Sequence, residues 1–181
     1  MDTKRILYNY FSDEEFVRIS KKIRDIEEHF FGEVKVAIRV RRPWFRFWKS
    51  PEYLARNEFT VQTMKNSEKG LGILIYILLN HKQFFILTDK SLREKIDPIV
   101  WDEFAEKLKN DFLDGFYAKG LLNCIESIGK VMSENFSNKE EEVEMEDEEI
   151  IEESEPKDDS MVESEDDDDL YDLDYDWLIN E

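Results

Sequence analysis

The chain has 181 residues, 41% of them hydrophobic, with one cysteine and a formal net charge of −19. That length holds one domain of ordinary size, and a single cysteine excludes an intrachain disulfide and Cys/His metal spacing. The longest apolar run, residues 71–79, is far short of the roughly 20 residues that span a bilayer, which excludes membrane insertion through this stretch.

The charge is unevenly placed. Residues 1–138 hold 23 Lys+Arg and 21 Asp+Glu, a net of +2. Residues 139–181 hold 2 Lys+Arg and 23 Asp+Glu, a net of −21. A near-neutral domain therefore carries a polyanionic tail, and the two call for separate accounts. We divide the chain into an N-terminal lead (1–11), a folded domain (12–138), a disordered acidic linker (139–169) and an acidic-aromatic terminal segment (170–181). The N-terminus leads into no apolar signal segment, so a cytoplasmic location is expected.

The first predicted element is a helix. Ser12 and Glu15 form a capping box, S-D-E-E, and Phe11 is placed to staple onto Phe16. Phe16, Ile19, Ile23, Ile26 and Phe30 recur at spacings of three and four, and Gly32 closes the helix. Val34, Val36, Ile38 and Val40 then alternate with Lys35, Ala37, Arg39 and Arg41, which predicts a strand with one apolar face. Pro43 stops it. Ser50 as N-cap and Pro51 at the first helical position open a second helix, running to about residue 65, with Leu54, Ala55, Phe59 and Met64 on its stripe.

Residues 71–79 are apolar and bounded by turn residues, which predicts a strand covered on both faces. Asn80-His81-Lys82 turns the chain into a hairpin mate at residues 83–88. A short helical turn is expected over residues 91–95. Asp97-Pro98 then starts a long helix with Trp101, Phe104, Leu108 and Phe112 on one face, and Asp114-Gly115 breaks it. The last helix carries Leu121, Ile125, Ile128, Met132 and Phe136, and Cys124 in its pattern reads as a small buried residue.

The order is α-β-α-β-β-α-α. The first two strands, joined through a helix, are expected to be parallel with a right-handed crossover. The third is expected antiparallel to the second. Helices on both faces make this an α/β fold, a three-layer α/β/α sandwich on a small mixed sheet.

This pattern resembles the TPM domain family, a small α/β/α domain of bacterial envelope and thylakoid proteins. Gly32-Glu33-Val34-Lys35-Val36 is similar to the family's T-G-E-I-x-V approach to its first strand. Gly70-Leu71-Gly72-Ile73-Leu74-Ile75-Tyr76 resembles its N-G-V-L-I-x-V strand, with Phe85-Ile86-Leu87-Thr88-Asp89 as hairpin mate. Trp101, the stretch F-L-D-G-F-Y-A-K-G at residues 112–120, and residues 121–136 resemble its closing helices. The resemblance covers residues 12–136. Glu68-Lys69 stands where the family usually has Asp or Asn before the central glycine, and Asn80-His81-Lys82 replaces an Asp-Arg pair in the hairpin turn. The Gly-rich turn after the hairpin is reduced to Asp89-Lys90-Ser91. Related domains have been linked to metal binding and phosphatase activity at these loops, so the resemblance implies the fold more strongly than catalysis.

A metal-dependent phosphatase needs an activated water and charge to hold phosphoryl oxygens. Glu68 and Asp89 are the candidate ligands for calcium or magnesium, with Asp97 a third carboxylate nearby. Hard cations want several oxygens in one cage, and the sequence shows no dense ligand motif. Asp89 also reads as a turn or cap residue and Asp97 as a helix N-cap. Gly70 and Gly72 lack phosphate-cradling spacing. His29 and His81 pair with no nucleophile in the sequence. No catalytic residue and no cofactor is assigned.

Residues 39–49 interleave Arg39, Arg41, Arg42, Arg46 and Lys49 with Trp44, Phe45, Phe47 and Trp48. Three readings compete. The aromatics close an edge of the core while the arginines are solvated. Alternatively, Arg39, Arg41, Arg42, Trp44, Arg46 and Trp48 form an interaction surface for an acidic or aromatic partner, since Arg and Trp are enriched at tight interfaces. Nucleic acid is the third reading, opposed by long-range repulsion from the tail.

Residues 139–169 bury too little apolar surface to offset chain entropy. The end of the tail differs. Tyr171, Tyr175 and Trp177, with neighbouring leucines, alternate with aspartates, the composition of a binding segment. Ser160 and Ser164 sit in contexts that suit an acid-directed kinase. The connecting residues span about 30 Å, so fold-back of this segment onto residues 39–49 is expected, in competition with an outside protein partner. The leading expectation is a non-catalytic protein-binding or assembly module with an acidic regulatory tail. The alternative is a metal-dependent phosphatase.

Overall fold

The computed structural model describes residues 3–29, 32–42, 48–63 and 71–136 and the backbone of residues 171–176. A mixed sheet of β1 (Glu33–Arg39), β2 (Gly72–Leu78) and β3 (Gln83–Thr88) lies between two helical layers. β1 and β2 run parallel, from Glu33 opposite Gly72 to Arg39 opposite Leu78. β2 and β3 form the expected antiparallel hairpin, Ile73 opposite Thr88 and Leu78 opposite Gln83.

Two-residue alternation gives the strands two faces. Ile73, Ile75, Ile77, Phe84 and Ile86 are buried in one cluster with residues of α2 (Asp13–Glu27), α5 (Pro98–Leu113) and α6 (Tyr117–Asn135). Leu74, Tyr76, Leu78, Phe85, Leu87 and Ala37 are buried on the other face with Leu54, Ala55 and Phe59 of α3 (Pro51–Thr63). This is the three-layer sandwich expected from the order of elements.

Local signals act as predicted. The Ser12 hydroxyl accepts from Glu15 N–H at 3.3 Å, and the Glu15 carboxylate accepts from Ser12 N–H at 2.7 Å. The Phe11 and Phe16 rings stand 5.5 Å apart. α2 ends at Glu27, short of Gly32, and the Glu27 carboxylate accepts from Val34 N–H at 2.9 Å, which ties the helix to β1. Ser50 accepts from Tyr53 N–H at 3.1 Å at the start of α3. Asp97 caps α5 through Ile99 N–H at 2.9 Å, and Gly115 at φ +79° turns the chain after it. α4 spans Lys90–Lys95.

Three features depart from the sequence reading. The N-terminal lead contains a short helix, α1 (Thr3–Leu7), and Ile6, Leu7 and Tyr10 pack against the core. Five residues are too few to form a helix on propensity alone, so tertiary packing holds it. The hairpin turn is a 3₁₀ turn, Leu79–His81, closed by Lys82 in the left-handed region at φ 49°. Finally, the tail supplies a fourth strand. β4 (Tyr171–Asp176) pairs antiparallel with β3, giving the strand order β1-β2-β3-β4. Phe30, Pro43 and Met64, expected at the ends of elements, lie outside the described residues.

Candidate functional site

At one end of the sheet, Asp89 joins the last residue of β3 to α4. It occupies the N-cap position of α4 but makes no side-chain cap bond. Its carboxylate instead accepts from Gly72 N–H, and its own N–H donates to Gly72 C=O at 3.1 Å. This reciprocal pair brackets the start of β2. Burial holds the Asp89 carboxyl above the usual carboxylate range, opposed by the Gly72 N–H and the positive charge of Arg93. The sequence reading of Asp89 as a turn or cap residue captured its position and missed its partner across the sheet.

A cation site at this end needs several converging oxygens. Asp89 brings one carboxylate, and one of its oxygens is engaged by Gly72. Glu68, the other candidate, lies outside the described residues. Asp97 is occupied as the α5 cap. Among the described residues no group of three or more His, Cys, Asp or Glu is placed to hold a metal. His29 Nδ1 lies 2.8 Å from Asp25 C=O on α2, remote in sequence and element from His81.

The opposite end of the sheet is basic. Arg39 closes β1 and pairs with Glu58 of α3 at 2.6 Å. Arg42 Nε donates to His81 Nε2 at 3.1 Å and its Nη1 to Lys49 C=O at 3.1 Å, so Arg42 knots the chain after β1 to the hairpin turn. Asn80 N–H donates to Val40 C=O at 3.0 Å and fixes the same junction. Arg41 and Lys82 are exposed. Trp48 is 65% exposed. The Lys49 ammonium lies 4.2 Å from the centre of the Tyr53 ring. A cleft of about 690 Å³ runs alongside, lined by Thr3, Leu7, Ile38, Val40, Arg39, Arg41 and Arg42. The structure thus brings Arg39, Arg41, Arg42 and Trp48 to one end of the sheet. Trp44 and Arg46 lie outside the described residues.

Of the tail residues singled out, Tyr171 and Tyr175 belong to β4, and Trp177 lies outside the described residues. β4 pairs with β3, at the edge of the sheet away from β1, rather than with the segment that follows β1. Tyr171, Leu173 and Tyr175 stand opposite Thr88, Ile86 and Phe84; Asp172, Asp174 and Asp176 stand opposite Leu87, Phe85 and Gln83. The Tyr-Asp-Leu-Asp-Tyr-Asp alternation has the two-residue period of a strand. That signal was available in the sequence, masked by an acidic composition.

Residues 7–131 match the family model of the TPM domain. The chain belongs to the TPM domain family. Its TPM domain is similar to the BA42 protein of the psychrophilic bacterium Bizionia argentinensis, solved by NMR, at 25% identity and a TM-score of 0.63. That likeness covers 75% of this chain and 90% of BA42. Comparison with curated proteins gives no match. Among the described residues of this TPM protein no helix is long and apolar enough to cross a membrane.

Proposed function

We propose that this TPM domain is a non-catalytic protein-binding module and that its acidic tail is its built-in ligand and regulator. The observation that carries this reading is the pairing of Tyr171–Asp176 with β3. An edge strand offers a row of unpaired N–H and C=O groups, and main-chain pairing with an added strand is a general mode of peptide recognition. The residues on offer at this edge, Phe84, Phe85, Ile86 and Leu87, are apolar. A strand that alternates aromatic or aliphatic residues with aspartate is the occupant found here.

The connection between Phe136 and Tyr171 holds the tail strand at an effective concentration on the order of millimolar. An outside strand of similar chemistry competes only when it binds more tightly or when the tail is held away. The test uses the full chain with Leu173→Pro, which removes a ladder donor in the middle of β4. A labelled peptide of residues 170–181 is expected to bind this variant and not the unaltered chain, with or without calcium. Failure to bind the variant rejects the reading. Hydrolysis of an aryl phosphate that requires Ca²⁺, Mg²⁺ or Mn²⁺ and is lost in Asp89→Asn replaces it with the phosphatase.

A further inference from the structure

The β3 edge has a second wall. Phe84 and Ile86 are buried with Trp101, Phe104, Leu108 and Phe112 of α5, and the Phe84 and Phe112 rings stand 5.8 Å apart. α5 also lies against the backbone of β4. A strand added to β3 therefore enters a groove between that edge and α5 rather than lying on an open rim. Residues paired across an antiparallel ladder share a face, so the groove reads an incoming strand in two rows. Positions opposite Ile86 and Phe84 are on the α5 side, and positions opposite Leu87, Phe85 and Gln83 are on the α3 side.

The row on the α3 side ends on a polar group without a partner. The Gln83 side-chain oxygen is buried and accepts no hydrogen bond. An orphaned acceptor costs free energy that a donor recovers. Leu78 stands opposite Gln83 on β2, and Phe85 is next along the same face. Neither side chain carries a donor. The remaining lateral neighbour is the residue on the outer strand. In the tail that residue is Asp176, and an ionised carboxylate only accepts. The tail thus suits the groove in its backbone and its alternation, and mismatches it at this one position.

We propose that Gln83 is the specificity residue of this groove. The outside partner is an extended strand with aliphatic or aromatic residues opposite Ile86 and Phe84 and an asparagine or glutamine amide opposite Gln83. An amide at that position donates to the Gln83 oxygen and accepts from the Gln83 NH₂, which a carboxylate cannot do. The inference rests on the strand pairing used above and adds what the edge selects. Asp176 makes the tail a displaceable plug, because a partner strand gains a hydrogen bond that the tail lacks. One neutral hydrogen bond is a gain of roughly fivefold in affinity, which tilts the exchange toward the partner.

The test uses the full chain carrying Leu173→Pro, which frees the edge, and two labelled peptides: residues 170–181 as they stand, and the same peptide with Asp176→Asn. The asparagine peptide is expected to bind roughly fivefold more tightly. Adding Gln83→Leu to the Leu173→Pro chain replaces the orphaned amide with an apolar side chain of similar size and is expected to abolish that preference. In the otherwise unaltered chain, Asp176→Asn is expected to raise the exchange protection of the β3 amides facing β4 several-fold, a measurement that needs no opened edge. Equal binding of the two peptides, or unchanged protection, overturns this inference and leaves the strand pairing standing. A preference that survives Gln83→Leu comes from the lost charge alone and overturns the role of Gln83. Binding of neither peptide overturns the pairing and this inference with it.

Discussion

Asp89 ties the end of β3 to the start of β2. Its carboxylate reaches across to Gly72 N–H, and burial raises its pKa above the ordinary value of 3.8. The folded state therefore binds this proton more tightly than the unfolded chain. The stability linked to it is complete below the ordinary value and is lost as pH rises through the raised one. Asp89→Asn keeps an oxygen acceptor for Gly72 and removes the buried charge. Its stability relative to the unaltered protein, from urea melts between pH 3.5 and pH 7, is expected to grow with pH and level off at neutrality. Asp89→Ala orphans the Gly72 N–H and is expected to cost about 1–3 kcal/mol at neutral pH. Cys124 is simpler. Burial pushes its thiol up to about 12, so almost no thiolate forms near neutrality. A disulfide reagent at pH 8 is expected to leave the native protein unlabelled and to label it promptly in urea.

The helices are placed by small residues as much as by large ones. A Cβ at Gly120 would stand 2.6 Å from Asp111 Cβ, where α5 and α6 meet, and one at Gly129 would stand 2.7 Å from Ile26 Cδ1 and Cγ1, where α6 meets α2. The Lys22–Glu126 pair at 3.2 Å closes the same α2–α6 seam at the surface. Alanine in mid-helix is intrinsically better than glycine by about 1 kcal/mol. At Gly120 that gain is opposed by an atom one bond from the backbone, which moves only with its helix. Gly120→Ala is expected to destabilise by about 1–3 kcal/mol through overpacking, read as a lower urea midpoint with an unchanged slope. The capping box, the Pro51 and Pro98 helix starts and the alternation in β1 were legible because each is a contact among residues within a few positions of one another. α1 was not, because its five residues gain their helix from Ile6 and Leu7 packing on a core assembled from distant parts of the chain.

At the scale of the molecule, two segments of different charge meet in one sheet. The domain carries +2 and the tail −21, yet β4 meets β3 through main-chain pairing at an apolar row rather than through charge. Salt is therefore expected to leave this pairing intact. Screening relieves repulsion among the tail aspartates and leaves β3–β4 protection equal or greater. Amide exchange of the β3 residues facing β4, compared at 20 mM and 500 mM NaCl, checks it.

Hydrophobic periodicity and turn chemistry determined the layers of this protein. They set which segments are helix or strand, that β1 and β2 run parallel, and that the β2–β3 hairpin is buried on both faces, because burial patterns repeat with the geometry of the backbone itself. Charge counting determined that the excess acidity is confined to residues 139–181. Only the tertiary structure decided what Asp89 bonds to, that Arg42 grips His81, and which edge of the sheet the tail strand takes. Those are choices among partners far apart in the chain, and they follow from which unpaired backbone and polar groups the folded sheet leaves within reach.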